Sequence, residues 1–216
     1  MLNDIVKNLL KEVSGIAEIP ANSAFNIRNN SKSEGRHSTE NIDIVPKEGG
    51  SGLDIYVKPF TKNENVHIPA LITQDGVSEV VYNDFYIGDD ADVVIVAGCG
   101  ISNCGQQDSR HDGIHRFYLG KNSKVKYVEK HYGEGDGNGK RIMNPGTEVY
   151  LEENSYMEME MVQIKGVDST NRNTKAELSA GAKLVIQERL MTHGAQEAVS
   201  GFVVNLNGDD SSANVI

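Results

Sequence analysis

With 216 residues, a formal charge of −10, 22 glycines, 8 tyrosines and no tryptophan, the chain can bury one sizeable core but lacks the basic surplus of a nucleic-acid binder. Its two cysteines exclude a disulfide-dense secreted module. There is no basic-then-apolar leader, and no apolar run reaches the ~18 residues of a membrane span, so a soluble, cytoplasmic protein with no membrane partner is expected.

Residues 1–14 predict a short amphipathic helix. Leu2, Ile5, Val6, Leu9, Leu10 and Val13 recur at helical spacing, and Gly15 supplies the stop. Such a helix covers the end of a core or docks on a partner. Residues 21–52 are polar and broken, which suits loops or an edge-strand pair, and residues 53–57 alternate as a strand. An irregular N-terminal segment over 1–65 is therefore expected ahead of a regular domain over 66–216.

That regularity is an internal repeat. Ile87, Leu119, Leu151, Leu178 and, more weakly, Leu206 each precede a tight polar turn, a small residue four positions on, and an alternating run. The starts lie 32, 32, 27 and 28 residues apart, with another alternating run before each and no helix between. Short strands at this period predict a β-solenoid, whose coils bury their inner faces by stacking on neighbours. A β-sandwich would not need the same small residue after every turn. Counting twelve residues from each start aligns Cys99, His131, Gln163 and Leu190; counting ten aligns Ala97, Glu129, Met161 and Glu188. Cys99 and His131 are then expected on adjacent coils. Alternation in residues 157–161 predicts Met157, Met159 and Met161 in the core, with glutamates facing water.

Chemistry-bearing residues crowd into 98–115. Cys99, Cys104, His111 and His115 follow a C-x4-C-x6-H-x3-H spacing in a glycine-punctuated stretch able to curl around a metal. This is not a standard zinc-finger spacing. The four are nonetheless the candidate metal ligands, with His131 and Glu129 as alternatives. Residues 133–141 (GEGDGNGKR) fail as a phosphate loop, since Glu134 and Arg141 occupy positions that need Gly and Ser or Thr. They read as a flexible insertion that lengthens one coil. No hydrolase, kinase or dehydrogenase constellation is present, and no catalytic residue is assigned.

Several segments together resemble the SufB/SufD family: residues 36–41 (RHSTEN), 54–59 (DIYVKP), 98–100 (GCG), 111–115 (HDGIH), 126–135 (KYVEKHYGEG), 157–170 (MEMEMVQIKGVDST) and 205–213 (NLNGDDSSA). The likeness is to the short archaeal and bacterial members and covers nearly the whole chain. It implies an all-β fold, a right-handed parallel β-helix, and a non-catalytic scaffold of the SUF machinery for iron–sulfur cluster assembly. It further implies an iron–sulfur cluster or a single Fe or Zn ion as bound species. The implied partners are a SufC-type ABC ATPase, engaged through a C-terminal helical region, and a second copy or a paralogue joined through the β-helix.

Family members continue beyond the point matching Ile216, so the positions credited with assembly in longer members correspond to no residue here. The pattern breaks off in an apolar alternation, which reads as a truncated chain and predicts self-association near Phe202, Val204 and Leu206. Two other functions compete: a partner-binding solenoid with a local Cys/His metal loop, and a β-helix enzyme. The enzyme would need a row of Asp, Lys or Arg along one groove, whereas Glu and Lys are scattered over the outward positions.

Overall fold

A computed structural model describes residues 4–15 and 23–216. One helix, α1 (Asp4–Ser14), precedes sixteen strands. These are β1 (Ser23–Asn29), β2 (Lys32–His37), β3 (Ile42–Pro46), β4 (Gly52–Val57), β5 (Lys62–Ile72), β6 (Ser78–Ile87), β7 (Asp92–Ser102) and β8 (Ser109–Leu119). They continue as β9 (Lys124–Glu134), β10 (Arg141–Met143), β11 (Gly146–Leu151), β12 (Tyr156–Lys165), β13 (Ser169–Leu178), β14 (Lys183–Leu190), β15 (Glu197–Leu206) and β16 (Ser212–Val215). The chain crosses alternately between two facing sheets. The front sheet runs β2-β1-β5-β7-β9-β12-β14-β16, and the back sheet runs β3-β4-β6-β8-β11-β13, with β15 added beside β13. Pairing is parallel everywhere except in the β1–β2 and β3–β4 pairs at one end. This is a parallel β-helix of about five turns.

The repeat register holds. Ile87, Leu119, Leu151, Leu178 and Leu206 stand side by side on consecutive back strands, in a single ladder. An earlier rung, Val57, pairs with Ile87; Pro59 and Phe60 disguise its turn in the sequence. The fold therefore begins before residue 66, and β5 crosses the boundary expected at 65/66 without a break.

The corner after each ladder rung explains the small residue. Phe60, Asp90, Asn122, Asn154, Gly181 and Asp210 take positive φ of 55–66°, a conformation tolerated best by Gly, Asn and Asp. The next residue turns back into the core. Ala91, Ser123, Ser155 and Ala182 are fully buried there. The Ser123 and Ser155 hydroxyls donate to the carbonyls of Gly120 and Glu152, both at 2.7 Å. Ser211 repeats the bond to Gly208, after one extra residue that blurs this unit in the sequence. This corner is four residues long in every coil from β4 to β14.

The opposite corner varies in length, from three residues between β12 and β13 to six between β7 and β8. All of the period change falls on this side. Residues 135–140 are not an insertion peculiar to one coil. They stack on the preceding coil's 103–108 corner, with Gly137 N donating to Asn103 O at 3.2 Å and Gly139 N to Gly105 O at 3.1 Å.

Helix α1 covers the outer face of the front sheet rather than the end of the core. Val6, Leu9, Leu10 and Val13 form a buried cluster with Ile27 and Leu71. Gly98 and Gly100 make this approach possible, because a Cβ on Gly98 would lie 2.5 Å from Val13 O. The Gly-Cys-Gly stretch is thus a strand seat for a helix, with Cys99 turned inward between the two glycines.

Candidate functional site

The interior has two unlike halves. Next to the regular corner it is dry. Phe85, Phe117, Val149 and Ala176 on the back sheet join Ile95, Tyr127, Met159 and Ile186 on the front in one apolar cluster. Met157, Met159 and Met161 are fully buried there, as their alternation predicts. Towards the variable corner comes a band of buried polar side chains, Glu79, Asn83, His111, His115, Glu129, His131, Gln163 and Arg172, before a second apolar cluster of Ala70, Ile72, Cys99, Ile101, Met143 and Val167 at the corner itself.

Strand alternation places these groups. His111, Gly113 and His115 occupy successive inward positions of β8. One coil earlier, Glu79 stands beside His111 and Asn83 beside His115. On the front sheet Ala97 pairs with Glu129 and Cys99 with His131, and His131 continues to Gln163. The adjacency of Cys99 and His131 expected from the twelve-residue count is therefore present.

A directed chain of hydrogen bonds links the two sheets. Tyr127 Oη donates to Glu129 Oε1 at 3.1 Å. Having spent its proton there, Tyr127 accepts from His115 Nδ1 at 2.7 Å, which puts the imidazole proton on Nδ1 and the lone pair on Nε2. Asn83 Nδ2 lies 3.3 Å from that Nε2. Burial lowers the His115 pKa to about 4, so the ring is neutral near pH 7. His111 is held in the same way, with Nδ1 at 2.8 Å from Glu79 Oε1. The other Glu79 oxygen accepts from Arg28 Nε at 2.8 Å. Burial would raise the Glu79 pKa, but the His111 hydrogen bond and the His111 and Arg28 charges outweigh it and bring it to about 2.

Arg172, whose side chain is fully buried, closes the other end of the chain of bonds. Its guanidinium pairs with Glu129 Oε2, and its Nε lies 2.9 Å from Glu188 Oε1. That second contact is a charge contact rather than an aligned hydrogen bond, since neither atom has a hydrogen-bond partner. Desolvation works to raise the Glu129 pKa, yet the charges of Arg172 and His131 hold it well below the usual carboxylate range. Burial and the negative charge of Glu79, Glu129 and Asp112 push the Cys99 thiol well above its ordinary value. Cys99 is therefore a protonated thiol at neutral pH.

A cavity of about 370 Å³ adjoins these groups. Its walls run from exposed Ser31, Ser33, Arg36 and Gly50 to buried His111, His115, Glu129 and His131.

The candidate ligands separate into two places. Cys99, His111, His115, His131 and Glu129 all face the interior, on strands rather than on a curling loop. Cys104 is exposed at the variable corner. Among the described residues no group of three or more His, Cys, Asp or Glu side chains is close enough to hold a metal ion together. Glu79, Asn83, Tyr127 and Arg172 were not among the sequence candidates. The 32-residue offset that pairs Cys99 with His131 also pairs Glu79 with His111 and Asn83 with His115, so two of these partners could have been found by the same count.

Comparison with family models, curated proteins and solved structures finds no match to this chain.

Proposed function

We propose that the chain is a scaffold subunit of SUF type, on which iron and sulfur are gathered as cargo. In this reading it acts with a SufC-type ATPase and pairs with a second copy or a paralogue through its β-helix. The sequence likeness to the SufB/SufD family supports the reading. One observation carries it further: Cys99 and His131 are paired on neighbouring coils inside the solenoid, and His131 and Glu129 line a cavity with an exposed rim. Soft and borderline donors kept out of bulk water suit cargo that water and oxidants would otherwise attack. Burial keeps Cys99 protonated and weakly nucleophilic until a metal ion displaces its proton.

The test is anaerobic loading of the whole chain with ferrous iron and sulfide, followed by iron and acid-labile sulfide analysis after desalting. The chain is expected to retain both, and Cys99→Ser to lose most of each while keeping its fold. Retention of neither by the unaltered chain overturns the scaffold reading; equal retention by Cys99→Ser removes Cys99 from it.

A further inference from the structure

The two histidines of β8 share a feature that the cargo reading does not use. Their Nδ1 atoms are both occupied, His111 by Glu79 at 2.8 Å and His115 by Tyr127 at 2.7 Å. Their Nε2 atoms both turn towards Gly113, the inward residue between them. A Cβ at position 113 would lie 3.3 Å from His115 Nε2 and 3.5 Å from His111 Nε2. The missing side chain thus leaves a gap into which two imidazole nitrogens converge, and His111, Gly113 and His115 all line the cavity.

We infer that His111 and His115 form a two-imidazole seat for one divalent transition-metal ion over Gly113. An imidazole binds a metal through a bare nitrogen, so the ion would displace the Nε2 proton that His111 carries when it is charged beside Glu79, and a carboxylate on the other nitrogen fixes the tautomer and raises its basicity. Glu79 does this directly for His111, and Glu129 does it through Tyr127 for His115. Two nitrogen donors select zinc, iron, cobalt, nickel or copper over magnesium or calcium.

Around the seat Glu79, Glu129 and Glu188 face Arg28, Arg172 and, on the cavity wall, Arg36, so the charged side chains balance and the imidazole nitrogens rather than net charge would select the ion. A third donor stands ready in Asn83, which is buried, lines the cavity and has an Oδ1 without a hydrogen-bond partner. Turning its amide over would place that oxygen where Nδ2 now lies, 3.3 Å from His115 Nε2. Water from the cavity would complete the shell. Because the seat has only two imidazoles and an amide, it fits the absence of any larger His, Cys, Asp or Glu group among the described residues. Cys99 and Cys104 take no part in it, so the site is independent of the cargo function proposed above.

The experiment titrates Co2+ alone into the whole chain, following the visible d–d absorption, with Zn2+ as competitor. One Co2+ per chain is expected, displaced by Zn2+. His111→Ala and His115→Ala should each weaken binding by more than about tenfold. Gly113→Ala should do the same by filling the gap, at a position where backbone φ is ordinary and the fold is kept. Cys99→Ser should bind Co2+ like the unaltered chain, which separates this site from iron and sulfide loading. In nitrogen-15 spectra of the unaltered chain, Zn2+ should shift the Nε2 resonances of His111 and His115. Absence of Co2+ binding, or binding that survives Gly113→Ala with unshifted Nε2 resonances, overturns the inference.

Discussion

The two halves of the solenoid interior are built from the same strands, one or two residues apart, yet they solve opposite problems. Beside the regular corner, Phe85, Phe117, Tyr127 and Met159 stack without a charge among them. A few residues nearer the variable corner, Glu129, Arg172 and His131 are buried as well, and half-buried Glu188 stands beside Arg172. The apolar half explains why the coils stack: each buried side chain of this size contributes about 1.5–3 kcal/mol. The polar half does not help in that way, since replacing a buried ion pair by apolar residues is often neutral or stabilising. The polar cluster therefore does not account for the stacking of the coils.

The sharpest way to break this contrast is Arg172→Met. Removal of the guanidinium leaves Glu129 buried and uncompensated, and should cost about 3–5 kcal/mol in denaturant unfolding. Adding Glu129→Leu and Glu188→Leu to Arg172→Met should restore most of that loss. If the triple variant is no more stable than the single one, the cluster is part of the folding core after all.

Acid should also act on the polar half. Burial lowers the His115 pKa from 6.5 to about 4, so as pH falls below 6.5 the unfolded chain takes up a proton that the folded ring refuses. Stability from this group is intact above pH 6.5 and is lost between there and pH 4, about 3 kcal/mol in all. Burial lowers the His67 pKa as well, in the same sense. The His115 share is therefore read as the difference between the unaltered chain and His115→Gln over that window. A parallel pH slope in the two proteins would contradict the assignment.

Gly98→Ala probes the strand that both halves share, from its outer side. The new Cβ would meet the backbone oxygen of Val13 at 2.5 Å, which the helix cannot yield without shifting. A loss of about 1–3 kcal/mol is expected from such overpacking, and deletion of α1 should abolish the difference between Gly and Ala. Ser123→Ala marks the lower end of the scale, at the corner of the dry half. It removes a hydroxyl bond of 2.7 Å from a position that already accepts Ala in neighbouring coils. It should cost about 0.5–1.5 kcal/mol by thermal melting.

Much of this architecture was legible because stacking imposes a fixed offset. Ile87, Leu119, Leu151 and Leu178 had to align if their turns did, and the alignment carried Cys99 to His131. The start of the solenoid was harder to see, since Val57 precedes a turn written with Pro59 and Phe60 instead of Asn or Gly. The site was only half legible. Cysteine and histidine spacing drew attention to residues 99–115, but spacing along the chain suggested a loop, whereas alternation sends Cys99, His111 and His115 into the interior and leaves Cys104 outside. Arg172 gave no signal at all, because an arginine amid alternating polar residues reads as a solvent-facing one until the register turns it inward.

The unequal corners have a consequence for how such a chain can change. The regular corner holds four residues from β4 to β14 and takes a fifth only between β15 and β16, where the β14–β16 register is kept. The opposite corner already spans from three to six residues, and the β9–β12 pairing absorbs the shortest of them with a register shift between Gln163 and Lys165. Its 103–108, 135–140 and 191–196 segments are where length can drift, where a fluorescent or affinity module could be spliced, and where a protease would find its first cut. These segments are on the same side as the polar interior. Variation in this molecule is thus greatest at the corner nearer the polar cluster, while the regular corner departs from four residues only in the last described coil.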